Sequence, residues 1–169
     1  MDFGAVQCTP QSPNCLFCPL SGSCRALSEG KVQQLPVKQH RTKTTSRYFN
    51  YIYVRMGAHT LIHKRTEDDI WKNLFELPLV ETEKDLSEEE FLACPQFHAL
   101  FAEGEVRMVR ILLRGVKHVL SHRVIYTNFY EVTLPDNSSS FSSYQRVAVE
   151  DLGRYAVPRL IHAFLEKYV

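Results

Sequence analysis

Cys8, Cys15, Cys18 and Cys24 place four thiols within seventeen positions, in the spacing Cys-x6-Cys-x2-Cys-x5-Cys, and Cys94 is the one other cysteine of the chain. Each thiolate is a single metal ligand. Four of them complete the shell of a 4Fe–4S cube or of a tetrahedral zinc. Structural zinc sites usually join two Cys-x2-Cys knuckles across a dozen or more residues. Here there is one knuckle, Cys15 and Cys18, with single cysteines six and five residues outside it. That compact wrapping suits a cluster whose irons each take one thiolate, with zinc as the alternative. A disulfide framework would need an oxidising compartment, for which the sequence gives no sign.

A second group of reactive types lies in Val116-Lys117-His118-Val119-Leu120-Ser121-His122. No Cys or carboxylate stands beside its histidines at ligand spacing, which argues against a zinc site there. Glu88, Glu89 and Glu90 are contiguous. Successive helical residues point about 100° apart, so three adjacent carboxylates do not converge on one cation. In the first turn of a helix they offset its dipole instead. Cys94 reads as a small buried hydrophobe, and Trp71 as a core or interface residue. By even spacing on a strand, Arg110 and Arg114 share one face, with Arg107 opposite.

The elements that must position these groups follow from pattern. Residues 1–24, rich in Pro, Ser and Asn, form a cysteine-rich loop that cannot pack a core alone. Residues 25–46 lack periodicity and read as a connector. From 47 to 169 the texture is that of a folded domain. Tyr48 to Arg55 is aromatic and β-branched, Gly57-Ala58 marks a turn, and Thr60 to Lys64 returns as a strand. Phe75 to Val80 reads as one further strand, with Pro78 placing it at an edge or bulge. Ser87 and Glu90 make a capping box opening a helix, which Pro95 breaks. Val109 to Val116, Val124 to Leu134 and Arg146 to Val149 are strand candidates. Pro158 opens a last helix with Leu160, Ile161, Phe164, Leu165 and Tyr168 on one face. Mixed strands with two helical segments imply an α+β or α/β sandwich.

Composition sets the bounds. Of 169 residues, 44% are hydrophobic and 23% charged, an ordinary globular balance. No apolar run approaches the roughly 20 residues needed to span a bilayer, and the start lacks a secretory pattern. The expectation is a cytoplasmic protein with no membrane partner. The formal net charge of +1 hides an asymmetry. Residues 1–47 carry Arg25, Lys31, Lys38, Arg41, Lys43 and Arg47 against Asp2 and Glu29 alone. A basic head on a slightly acidic body would concentrate any polyanion contact near the head, through Arg25, Lys38, Arg41 and Lys43 as candidate phosphate ligands.

The cysteine spacing, Cys15-Leu16-Phe17-Cys18-Pro19-Leu20, and the lead-in Met1-Asp2-Phe3-Gly4-Ala5 resemble the cluster segment of the endonuclease III and adenine DNA glycosylase superfamily. Between the first two cysteines stand Thr9, Pro10, Gln11, Ser12, Pro13 and Asn14, without the basic residues usual there. Ile70-Trp71-Lys72-Asn73-Leu74-Phe75-Glu76-Leu77-Pro78 resembles the approach to a Nudix box, but Leu79-Val80 replaces the glycines, and no Arg-Glu pair follows. Pyrophosphohydrolase activity is therefore not expected. A Nudix-like body without its metal box, joined by a basic linker to a cluster segment, resembles the C-terminal part of the adenine DNA glycosylase (MutY) family.

That resemblance implies a Nudix/MutT-like α/β/α sandwich with a mixed sheet. It implies Cys8, Cys15, Cys18 and Cys24 as ligands of a 4Fe–4S cluster. It also implies an N-terminal catalytic domain absent from this chain, which would leave the chain alone inactive. The partner implied is double-stranded DNA with adenine opposite 8-oxoguanine. His118, Leu120, Ser121 and His122 resemble the family's segment that approaches the oxidised base, with Leu120 where Phe is usual. A zinc-stabilised Nudix-like protein-interaction module is the alternative function.

Overall fold

The structure is a computed structural model, and it describes residues 3–9, 11–35 and 44–169, with nothing stated of the side chains of Gly4 and Ala5. The chain divides into two units, Met1–Lys43 and Thr44–Val169. Candidate phosphate ligands Lys38, Arg41 and Lys43 lie outside the described residues.

In the first unit, helix α1 (Phe3–Val6) precedes Cys8, a 3-10 turn spans Ser21–Ser23, and helix α2 (Arg25–Ser28) follows Cys24. Cys18 N–H donates to the Cys15 carbonyl at 3.2 Å, and Ser21 N–H to the Cys18 carbonyl at 3.0 Å. The knuckle is thus a chain of tight turns. Leu16 and Phe17, at 93% and 79% exposure, bury almost nothing.

The second unit is built on β1 (Thr45–Arg55) and β6 (Arg123–Thr133), which pair in parallel from Thr45↔Arg123 to Arg55↔Thr133. β4 (Leu79–Thr82) and β5 (Met108–Val119) flank them antiparallel, giving the mixed order β4-β1-β6-β5. A second, antiparallel sheet has the order β3-β2-β7, from Phe75–Glu76, His59–Lys64 and Gln145–Ala148.

Central strands must be apolar on both faces, because both are covered. On one face of the main sheet, Phe49, Tyr51, Ile125 and Phe129 pack with Ile62 and Val147 of the second sheet and with Leu160, Ile161 and Phe164 of helix α5 (Arg159–Tyr168). On the other, Ile52, Val54, Tyr130 and Val132 pack with Phe91 of helix α3 (Glu88–Leu92) and Phe97 of helix α4 (Pro95–His98). Phe164 stacks on Phe129 at 4.1 Å between ring centroids, which locks α5 to the sheet. Among the described residues no helix is long and apolar enough to cross a membrane.

Local chemistry accounts for most element ends. Ser87 caps α3 by accepting from Glu90 N–H at 3.1 Å, while the Glu90 carboxylate accepts from Ser87 N–H at 2.8 Å, the reciprocal capping box. Pro95 breaks the helical run as expected, since the residue before it, Cys94, is held extended at ψ 141° after α3 ends at Leu92. It occupies the first turn of α4, where its missing N–H costs no hydrogen bond.

Two expectations fail. Phe75 to Val80 is two strands, β3 and β4, in different sheets, with Pro78 between them. Proline has no N–H to donate, and here the chain crosses from one sheet to the other. Arg110 and Arg114 lie on opposite faces. The β5–β6 register shifts between Ile111 and Leu113 and again before Val116, and each extra residue inverts the alternation. Gly115, at φ +69°, supplies the left-handed backbone that the second irregularity requires. Arg110 therefore meets Glu131 at 2.7 Å, while Arg114 donates to the Leu86 carbonyl at 3.1 Å beside α3.

Candidate functional site

β5 and β6 form a hairpin whose tip is Leu120-Ser121-His122, closed by Leu120 N–H donating to the Arg123 carbonyl at 2.8 Å. Thr45 N–H donates to the His122 carbonyl at 3.2 Å, so the start of β1 holds the tip from the side. Ser121 and His122 are exposed, whereas Leu120 and His118 are half-buried. Leu120 packs against the edge of the α5-side core, as do Trp71 and Ile70.

An open cavity of about 460 Å³ lies between this tip and the loop after β2, lined by Asp68, Asp69, Ile70, Leu120, Ser121, His122 and Arg123. Its volume is in the range of small-ligand sites. Its walls are mixed: apolar at Leu120 and Ile70, hydrogen-bonding at Ser121, charged at Asp69 and Arg123. That combination offers both apolar contact and hydrogen bonding to a ligand. Leu120, Ser121 and His122 thus line one site, while His118 lies two residues before it on β5, its ring 5.8 Å from Trp71.

Behind the cavity is an ionic network. Asp69 accepts from Arg123, from Arg47 at 2.5 Å and from Arg65 at 3.2 Å. Burial opposes ionisation of Asp69, but the hydrogen bonds from Arg47 and Arg123 outweigh it and hold its carboxyl well below the usual range. Arg47 also grips Glu81 with two bonds of 2.6 Å, and its guanidinium lies 4.8 Å from the Phe49 ring. Arg65, 8% exposed, donates to both oxygens of Glu76, 2% exposed, at 2.8 Å. Glu76 also accepts from Tyr51 OH at 2.9 Å and lies 3.2 Å from His63 Nε2.

None of these network members was a candidate in the sequence. The Arg65-x3-Asp69 spacing is the one local signal. Arg47, Asp69 and Arg123 come together because β1, the loop after β2 and the start of β6 converge at one end of the sheet.

The remaining candidates are dispersed. Arg25 is exposed and pairs with Glu29 at 2.5 Å. The three glutamates of α3 serve its N-terminus, Glu90 in the capping box and beside Lys84 at 3.2 Å. Cys94 is half-buried against the α3/α4 core. A larger hollow of about 590 Å³ beside α5 includes Arg55 and Arg110, but both guanidiniums already hold the buried Glu131.

In the first unit Cys8, Cys15, Cys18 and Cys24 are free thiols that line one concavity with Gln7, Asn14 and Leu27. Among the described residues no group of three or more His, Cys, Asp or Glu side chains is arranged to hold a metal ion. In number and type the donors fit a cluster, which takes one thiolate per iron.

Comparison with known proteins adds three findings. The NUDIX domain family model matches residues 50–167. The chain is 26% identical over 171 residues to the adenine DNA glycosylase of Buchnera aphidicola subsp. Acyrthosiphon pisum (strain APS), covering 99% of this chain and 46% of that protein. It is 35% identical over 82 residues to the adenine DNA glycosylase of Buchnera aphidicola subsp. Schizaphis graminum (strain Sg), covering 48% of this chain and 24% of that protein. The chain therefore spans less than half the length of these curated relatives. Its fold is similar to the C-terminal domain of mouse MUTYH, seen in a crystal structure with human PCNA, with a TM-score of 0.55 at 14% identity over 72% of this chain and 86% of that one. The expected Nudix α/β sandwich with a mixed sheet is the fold of Thr44–Val169.

Proposed function

Because the chain belongs to the NUDIX domain family, through residues 50–167, we propose that Thr44–Val169 reads 8-oxoguanine opposite adenine as the lesion-recognition part of an adenine DNA glycosylase. The observation that carries this reading is the open cavity at the β5–β6 tip, roomy enough to admit a base, with Ser121 exposed on its wall. Oxidation converts the guanine N7 acceptor into an N–H donor and adds a carbonyl at C8. The Ser121 hydroxyl, which can accept from one and donate to the other, is suited to that change. Leu120 presents an apolar edge for contact with a base face. His118 and His122 flank the tip, and Arg25, with Lys38, Arg41 and Lys43, would supply the sequence-independent phosphate contacts.

The whole protein's reaction under this proposal is hydrolysis of the adenine N-glycosidic bond after the base is turned out of the duplex. This chain contributes recognition of the opposite base. Cys8, Cys15, Cys18 and Cys24 would hold a 4Fe–4S cluster, which when bound cross-links a segment with almost no core of its own. Zinc is less well supported, since structural zinc sites usually join two Cys-x2-Cys knuckles and this segment has one.

The test compares binding of the 169-residue chain to duplexes carrying adenine opposite 8-oxoguanine or opposite guanine, at stated salt. The oxidised duplex should bind more tightly. A good base-edge contact is worth about 1–3 kcal/mol, so Ser121→Ala should reduce the preference about fivefold or more. Affinity for the guanine duplex should stay nearly unchanged. Absence of any preference in the unaltered chain, or equal loss for both duplexes, overturns the reading. For the cluster, iron and sulfide analysis with broad absorbance near 400 nm is expected, and one colourless zinc per chain would refute it.

A further inference from the structure

The tip that carries Ser121 is short, exposed and joined to β1 by one backbone hydrogen bond, from Thr45 N–H to the His122 carbonyl. A hydroxyl both donates and accepts, so it discriminates between bases only if its position is fixed. The loop of residues 65–74 supplies that fixation from both strands of the hairpin. On the β6 side, Asp69 bonds Arg123, the residue that follows the tip. On the β5 side, the Trp71 ring packs 5.8 Å from the His118 ring, the residue two before Leu120.

The loop is itself held in an unfavourable backbone. Trp71 and Asn73 have φ of 60° and 69°, a region that asparagine tolerates and a bulky residue such as Trp71 avoids. Such conformations persist where the surroundings over-determine them. Here Arg65 N–H donates to the Leu74 carbonyl at 2.9 Å, Asn73 N–H to the Arg65 carbonyl at 2.8 Å, and Arg65 Nε to the Ile70 carbonyl at 3.0 Å. Arg65 is in turn anchored on the buried Glu76.

Charge points the same way. Arg47, Arg65 and Arg123 are matched by Asp69, Glu76 and Glu81. Unmatched guanidiniums beside the cavity would seize phosphates and add affinity that carries no sequence information. Asp69 both fixes Arg123 and withholds it from the backbone.

We infer that Asp69 is a specificity-determining positioning residue: through Arg123 it fixes the reading tip and keeps that guanidinium out of nonspecific phosphate contact. This inference rests on the proposed lesion reading. Its signature is a pair of effects that loss of structure alone would not produce. Asp69→Asn should lower the preference for 8-oxoguanine over guanine about fivefold or more. It should also hold or raise affinity for the guanine duplex, and steepen the slope of log affinity against log salt by roughly one, for one freed phosphate ligand.

Arg123→Gln removes the same bond from the hairpin side and leaves Asp69 with Arg47 and Arg65. It should lower the preference similarly without steepening the salt slope, and Arg123→Lys should restore much of the preference. If Asp69→Asn does not fold, the Arg123→Gln and Arg123→Lys pair decides. A preference present in the unaltered chain and unchanged in these variants overturns the inference and leaves the lesion reading standing. Lack of preference in the unaltered chain sinks the lesion reading, and with it this inference.

Discussion

Replacing Glu76 by glutamine tests whether the network behind the cavity is a low-dielectric one. Glu76 is 2% exposed and Arg65 8%. The carboxylate takes two bonds of 2.8 Å from Arg65 and one of 2.9 Å from Tyr51, with His63 at 3.2 Å. Glutamine keeps the shape but removes the charge and presents an amide N–H₂ to at least one of these donors. Removing one partner of a buried ion pair costs about 3–5 kcal/mol, and because Arg65 keeps Asp69 at 3.2 Å the lower end of that range is expected. At roughly 2.1 cal/mol/K per residue of unfolding entropy, that is a fall in Tm of roughly 10–20 °C for the unit Thr44–Val169. Tyr51→Phe removes one charge-assisted bond and should cost about 1.5–3 kcal/mol. Lys72→Ala, which breaks an exposed pair with Asp68, should cost less than about 1 kcal/mol. Urea denaturation followed by fluorescence is the assay. Trp71 is the one tryptophan of the chain, and its loop hangs on Arg65, so the signal reports this region. A cost for Glu76→Gln as small as that for Lys72→Ala would refute the reasoning, since Arg65 would then be reaching water or another anion.

Two more outcomes follow from the same structure. Phe164, 2% exposed and stacked between Phe129 at 4.1 Å and Tyr168 at 5.3 Å, should cost about 3–5 kcal/mol on replacement by alanine, read by thermal or urea unfolding. The Glu105 carboxylate accepts from the Ser138 and Ser140 hydroxyls and the Ser139 amide, which together lower its pKa to about 2. Its folded pKa is depressed, so its contribution is full above the ordinary value of 4.5 and is lost as pH falls towards about 2. Protection of the Ser139 and Ser140 amides, measured against their intrinsic exchange rates, should therefore fall across that interval, and Glu105→Gln should abolish this pH dependence.

Much of the fold could be read along the chain because its signals are local. The dense β-branched and aromatic runs of β1 and β6, the Ser87 capping box, and Pro158 before a helix with one apolar stripe all act through neighbouring residues. Failures came where a neighbour in space decides. The first β5 bulge is invisible in Arg110-Ile111-Leu112-Leu113-Arg114, since alternation in sequence cannot show where the partner strand takes an unmatched residue. Apart from Glu76 and Pro78, the segment from Phe75 to Val80 is made of large apolar residues, so composition could not tell one strand from two in different sheets.

For the site, residue types were legible and their setting was not. The sequence by itself determined the ligand-type cysteines, the candidate segment Leu120-Ser121-His122 and the apolar faces that build the sandwich. These depend on side-chain chemistry and short spacing. Only the tertiary structure decided that Arg47, Asp69 and Arg123, far apart in the chain, meet behind that tip. The reason is topological. The parallel pairing of β1 with β6 brings Thr45 level with Arg123, so the start of one strand, the tip of a distant hairpin and the loop after β2 share one end of the sheet. There burial and opposite charge join them.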